Sequence, residues 1–192
     1  MKAKFIKSAT NVEDFFKDKR PQICLVGRSN VGKSSLINAL ANISNLARVS
    51  KTPGRTRLIN FFDFDKFVLV DLPGYGYAKA DMQTKELIYD LIIKCLNYNE
   101  KLTTAIQLCN IDVLTDDDQK MSIFLNKMNV NHLVFLTKVD KVNNSFFNNN
   151  KKKYLDFLKI NEEQLFEVSS KNKKNITKVL SVMNSISQNN KK

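Results

Sequence analysis

The run Gly27-Arg28-Ser29-Asn30-Val31-Gly32-Lys33-Ser34 fits the pattern G-x-x-x-x-G-K-[ST] and constrains this chain more than any other segment. A short apolar run at 22–26 precedes it, and Ser35-Leu36-Ile37-Asn38-Ala39-Leu40 continues it with helical character. A strand feeding a glycine-rich turn that opens a helix aims backbone N–H groups and the helix N-terminus at a phosphate chain. Lys33 then reaches the β- and γ-phosphates, and the Ser34 hydroxyl sits on Mg²⁺.

Around this unit strands and helices alternate. Apolar runs predict strands over 22–26, 58–64, 67–71, 104–110, 133–137 and 165–168. Helical periodicity predicts helices over 33–42, 82–97, 116–128, 146–159 and 172–187. Asp65-Lys66 reads as a tight turn between two strands, so one strand should run antiparallel. The remainder calls for an α/β fold: a six-stranded, mostly parallel sheet with helices on both faces. No internal repeat appears. The core is expected over about 20–187, with a disordered tail at 188–192 and no second domain.

A phosphate loop does not say which nucleotide binds. Thr137-Lys138-Val139-Asp140 follows the strand at 133–137 and matches the base-reading pattern [NT]-K-x-D. The Asp140 carboxylate can accept from guanine N1–H and the 2-amino group, a donor pair that adenine lacks. The Lys138 stem would lie against the base plane. Val168-Ser169-Ser170-Lys171 follows the last strand, where a backbone N–H can meet guanine O6. Asp71-Leu72-Pro73-Gly74 fits D-x-x-G: Asp71 would hold Mg²⁺ through water, and the Gly74 N–H would meet the γ-phosphate.

Between these lies Lys51-Thr52-Pro53-Gly54-Arg55-Thr56-Arg57. A threonine here can offer Mg²⁺ a hydroxyl and the γ-phosphate an N–H. Thr56 is preferred because it sits immediately before the strand, with Thr52 as the alternative. Such a segment is an order–disorder switch governed by the γ-phosphate. The chemistry is phosphoryl transfer to water, with Lys33, Thr56, Gly74 and Asn30 as catalytic candidates. Tyr75 occupies the place where many GTPases put the water-orienting glutamine, so slow intrinsic hydrolysis is expected. Asn30 can help coordinate K⁺ in the position of an arginine finger; the competing reading is a surface asparagine in a tight loop. His132 reads as structural, and Asp116-Asp117-Asp118 as acids complementing a helix dipole.

The net charge of +12 calls for an anionic partner, with RNA favoured over a purely solubilising role. Two surfaces could carry it: Arg55, Arg57, Tyr75, Tyr77 and Lys79, where aromatics interleave with basic residues, or the basic segments 151–153 and 171–178. Cys24, Cys95 and Cys109 have no metal-ligand spacing and read as reduced, buried thiols. No apolar run approaches the ~18 residues of a membrane span, and the basic N-terminus lacks the apolar core of a signal peptide. The cytoplasm is the expected location.

Taken together, the segments at 27–40, 51–62, 71–79 and 137–141 resemble the EngB family (also YihA/YsxC) of bacterial ribosome-assembly GTPases, within the wider TrmE–Era–septin group. The resemblance covers nearly the whole chain and implies a G domain of the P-loop NTPase fold that binds GTP or GDP and Mg²⁺. It matches Ser34 and Thr56 to the Mg²⁺ ligands. It matches Gly27 through Ser34, Gly54-Arg55-Thr56-Arg57-Leu58, Asp71 through Gly74, Thr137 through Asp140 and Val168-Ser169-Ser170 to the GTP-contacting segments. It implies action on a large ribosomal subunit precursor or its rRNA, with defects in division and septation on loss. Two departures stand out. Asn110-Ile111-Asp112-Val113-Leu114 has an acid where the family usually has arginine, and the family's tryptophan after Lys79 is missing. A GTP-gated scaffold at a membrane or in a polymer is the competing class, but such proteins normally need stalks or extra domains. A monomer is expected.

Overall fold

The computed structural model describes residues 3–48, 58–76 and 81–189. They form strands β1 (Lys4–Ala9), β2 (Gln22–Gly27), β3 (Ile59–Asp63), β4 (Val68–Asp71), β5 (Leu102–Asn110), β6 (Asn131–Thr137) and β7 (Leu165–Glu167). The helices are α1 (Lys33–Ala41), α2 (Met82–Tyr98), α3 (Asp116–Asn126), α4 (Asn144–Leu158) and α5 (Ile176–Asn189). The sheet order is β1-β3-β4-β2-β5-β6-β7. Only β3 opposes its neighbours: it is antiparallel to β1 and β4, whereas the other pairings are parallel.

The continuous apolar run of β2 follows from burial on both faces. Ile23 and Leu25 pack with α1 and α5 through Leu36, Ile37, Val179 and Met183. Cys24 and Val26 point the other way, toward Ile88, Ile92 and Cys95 of α2 and Met121 and Leu125 of α3. Strand side chains alternate with period two, so a strand covered on both sides shows no polar alternation. The third cluster seats Tyr154 and Leu158 of α4 against Val134 and Leu136 of β6. All three cysteines are free and buried.

The largest departures from the expected elements are at β1 and at the two ends of α5. A seventh strand, β1, pairs with β3 at the sheet edge. As an edge strand it buries little apolar surface and shows only weak alternation, and it extends the fold below residue 20. α5 begins at Ile176 rather than 172, because Lys173 and Asn175 take φ of 59° and 60°, outside helical backbone. It then runs to Asn189, so 188 and 189 belong to a helix rather than a tail. The turn at Asp65-Lys66 is as expected, with Asp65 at φ 65° and the Phe64 N–H donating to Phe67 O.

His132 is 4% exposed, with Nδ1 2.7 Å from Asn126 Oδ1. Burial pushes its pKa down from 6.5 to about 4. A depressed folded-state pKa contributes stability that is present above pH 6.5 and is lost as pH falls through 4. At 1.36 kcal/mol per unit the full loss is about 3 kcal/mol. Urea unfolding should therefore show stability falling between pH 6.5 and 4, and His132→Gln should flatten that slope.

The carboxyl ends of β2, β4, β5, β6 and β7 share one edge of the sheet, where open α/β sheets place their ligands. Because β3 runs the opposite way, its first residues reach the same edge, with Asn60 paired to Asp71.

Candidate functional site

The phosphate loop closes at Gly32, whose φ of 114° favours glycine, and α1 begins there without a side-chain cap. The amides of its first turn are thus free to face an anion. Lys33 lies close by, with Nζ donating to Gly27 O at 3.3 Å. Burial of this ammonium pulls its pKa down, and the Asp71 charge opposes that.

Asp71 ends β4 at 7% exposure, and burial raises its pKa to about 6 against the pull of Lys33 and an Asn60 hydrogen bond. Asn60 Oδ1 in turn accepts from Ser8 Oγ at 2.7 Å, so β1 supports this carboxyl through β3. Asp71 Oδ1 is buried with no hydrogen-bond partner. An orphaned carboxylate oxygen beside Lys33 and Ser34 fits a site for a hydrated Mg²⁺. Among the described residues there is no cluster of three or more His, Cys, Asp or Glu, so a metal here would depend on phosphate and water as well.

Farther along the same edge, the Thr137 hydroxyl donates to Val31 O at 2.8 Å, joining the base-reading segment to the phosphate loop. Lys138, at φ 61°, sends its ammonium back to Asn30 O at 2.9 Å. Asp140 Oδ1 accepts from Ser169 Oγ at 2.5 Å. That hydrogen bond is the main cause holding the carboxyl below its ordinary range. Two cavities meet at Gly32, Ser35, Asn45 and Lys138. One of 650 Å³ contains Asp140, Ser170 and Lys171; the other, of 790 Å³, contains Lys33, Ser34, Asp71 and Gly74. The two cavities therefore lie side by side along this edge of the sheet.

The sequence profile of the 50S ribosome-binding GTPase family matches residues 22–138. The probable GTP-binding protein EngB of Malacoplasma penetrans is 44% identical over 182 residues, covering 95% of this chain and 97% of that protein. The chain belongs to the EngB family of GTP-binding proteins. Its counterpart in Mycoplasmoides gallisepticum is 41% identical over 177 residues, covering 92% and 95% of the two chains. In fold, the chain resembles the crystal structure of a probable GTP-binding protein engB, with TM-score 0.72, 22% identity and coverage of 88% and 99%. It also resembles Era in complex with MgGDPNP and nucleotides 1506–1542 of 16S ribosomal RNA, with TM-score 0.65 and 18% identity. That match covers 86% of this chain and 56% of Era.

Within this EngB-family chain, the expected residues at 27–34, 71–74, 137–140 and 168–170 gather at one edge of the sheet. Not all of them contribute side chains. Val31, Leu72, Val139 and Val168 are buried in the core, leaving only their backbone for a ligand. Asn30 adopts φ 61°, which gives asparagine a conformational reason to be there. Gly54, Arg55, Thr56 and Arg57 lie outside the described residues, as do Thr52, Tyr77 and Lys79. Leu58 is 36% exposed beside the 790 Å³ cavity.

Tyr75 requires a correction. At 1% exposure it cannot form an RNA-facing surface, and its phenol enters the core, where it donates to Asp118. Asp118 likewise does more than complement the α3 dipole: it completes a capping box with Thr115 and is fully buried. Sequence reasoning missed Ser8, Asn60 and Asn38. The Asn38 side chain donates to Ala47 O at 3.0 Å and accepts from Ala47 N at 2.7 Å, tying α1 to the chain entering 49–57. No motif marks a residue that acts by supporting another.

The raised Asp71 pKa has a testable consequence. A Mg²⁺ ion held by Asp71 would need the ionised carboxylate, and so would have to displace a proton below about pH 6. Mg²⁺-dependent nucleotide affinity should then fall by up to about tenfold per pH unit below 6, and Asp71→Asn should remove both the dependence and its pH profile. Without metal the linkage has the opposite sign from His132. A raised folded-state pKa stabilises fully below 3.8, and that contribution is lost as pH rises through 6. Mg²⁺-free protein should therefore show the shallower acid loss.

Proposed function

We propose that this protein binds Mg²⁺ and GTP or GDP across the two adjoining cavities, hydrolyses GTP slowly, and acts as a nucleotide-dependent switch in assembly of the large ribosomal subunit. The observation that carries the nucleotide assignment is the joining of Asp140, held by Ser169, to the phosphate loop through Thr137 and Val31. One rigid edge thereby presents a guanine-reading carboxylate and a phosphate-binding helix start. Ser34 and Asp71, with Thr56, would hold Mg²⁺, which supplies charge neutralisation at the phosphates. Lys33 binds and orients the phosphate chain. The Gly74 N–H reads the third phosphate. Asn30 is assigned a K⁺ role; faster GTP turnover in K⁺ than in Na⁺ buffer is the expected result, and equal rates would remove that role.

The ribosomal role is supported by membership of a family described as 50S ribosome-binding and by the charge of +12. Among the candidate RNA surfaces, Lys152, Lys153, Lys171, Lys173 and Lys178 are exposed, whereas Lys151 and Lys174 are paired with Glu162 and Glu167. Effects on division and septation would follow from ribosome supply, in a monomeric, cytoplasmic protein. Among the described residues no helix is long and apolar enough to cross a membrane. Cosedimentation with ribosomal particles in GDP or a non-hydrolysable GTP analogue tests the reading. Association with large-subunit precursors only in the GTP-like state is expected. No association in either state, at low and physiological salt, would overturn the ribosomal assignment and leave nucleotide binding to stand alone.

A further inference from the structure

Tyr75 follows the D-x-x-G glycine, and its burial sets up contacts that neither hydrolysis nor base reading uses. Its hydroxyl donates to Asp118 Oδ1 at 2.9 Å and accepts from Gln107 Nε2 at 3.3 Å. Gln107 Nε2 also donates to Asp118 O at 2.7 Å. Asp118 is itself fixed, since its Oδ2 accepts from Thr115 N at 3.0 Å and Thr115 Oγ1 at 2.9 Å. The Arg28 guanidinium stands 3.9 Å from the same oxygen. The phenol is thus anchored to β5 and α3, two parts of the rigid scaffold.

The main chain of Tyr75 is tied to the phosphate loop. Ser29 N donates to Tyr75 O at 2.9 Å, and Tyr75 N donates to Gly27 O at 3.3 Å. Gly74 is pressed close beside them: a Cβ there would lie 2.9 Å from Ser29 N and 3.2 Å from Lys33 Nζ. The Lys33 ammonium and the Gly74 N–H are the groups a third phosphate must meet. Seating that phosphate between Gly74 and the loop requires the two to separate.

We propose that the Tyr75–Asp118 hydrogen bond is a latch holding residues 74 and 75 down on the phosphate loop, so that Tyr75 is a positioning residue setting the preference for guanosine diphosphate over triphosphate. The latch opposes only the state that contains the third phosphate. It rests on the guanine-nucleotide reading of the site. Tyr75→Phe keeps the ring and its packing 6.0 Å from Tyr89 but removes the hydroxyl.

The test measures Kd for fluorescent GDP and for a fluorescent non-hydrolysable GTP analogue, both with Mg²⁺, on the full chain and on Tyr75→Phe. The ratio of the two affinities should shift toward the triphosphate by about tenfold, the scale of a hydrogen bond to a charged group. An unchanged ratio, including equal weakening of both nucleotides as a purely structural role would produce, overturns the latch. Failure of the unaltered chain to bind either nucleotide overturns the site reading and the latch with it. Hydrogen exchange on the unaltered chain covers the case of a misfolded variant. The Tyr75 amide should exchange faster with the triphosphate analogue than with GDP, and equal protection overturns the proposal.

Discussion

Asp140→Ala should weaken GTP and GDP binding by at least about 100-fold. The carboxylate can accept two hydrogen bonds from guanine, and each bond to a charged group contributes about 1.5–3 kcal/mol. Removing the acceptor leaves both guanine donors facing the pocket wall. Asp140→Asn sharpens the test, because its amide offers one acceptor and one donor. The donor opposes the guanine 2-amino group but matches the 2-oxo group of xanthine, so binding should move from guanosine to xanthosine nucleotides. Isothermal titration with GDP and XDP reads both effects. An Asp140→Ala protein that binds GDP within threefold of the unaltered chain would remove this residue from base reading. Ser169→Ala should cost less, about 1 kcal/mol, since it loosens the carboxylate without deleting it.

Lys33→Met should be comparably severe, for two reasons that can be separated. The variant loses the cation that meets the phosphates, with an expected fall in GTP affinity of about 100- to 1,000-fold from charge-assisted contacts. It also strips Asp71 of the charge that holds its carboxyl down. The Asp71 pKa should then rise above about 6, so the carboxyl protonates closer to neutrality. The melting temperature of Lys33→Met should accordingly drop above neutral pH and recover on mild acidification. Lys33→Met with Asp71→Asn should lose that pH response while staying defective in GTP binding. Nucleotide affinity that survives in Lys33→Met would contradict the assigned role.

Much of this was legible because the chemistry is local. The phosphate loop, D-x-x-G and T-K-V-D each need particular residues at fixed spacing, and the α/β alternation follows from apolar runs. β1 was not legible, because its pairing with β3 is a long-range contact that Lys4 to Ala9 do not advertise. The start of α4 was misplaced for a subtler reason. Asn143 caps it by accepting from Phe146 N at 2.7 Å, inside an asparagine-rich stretch that reads as loop. Tyr75 reads as an RNA-facing residue from sequence because it sits where aromatics interleave with basic residues, yet it is buried. Only the fold shows that Asp118, far along the chain, takes its hydroxyl.

The chain of contacts from Ser8 through Asn60 to Asp71 bears on how a shortened form of the protein would behave. A version trimmed to 20–187 would keep every recognisable motif and could be mistaken for the complete working unit. It would lack the strand that orients Asn60, and so the neighbour that steadies the buried Asp71 carboxylate. Its failure would look like an active-site lesion although no residue of the active site had been touched.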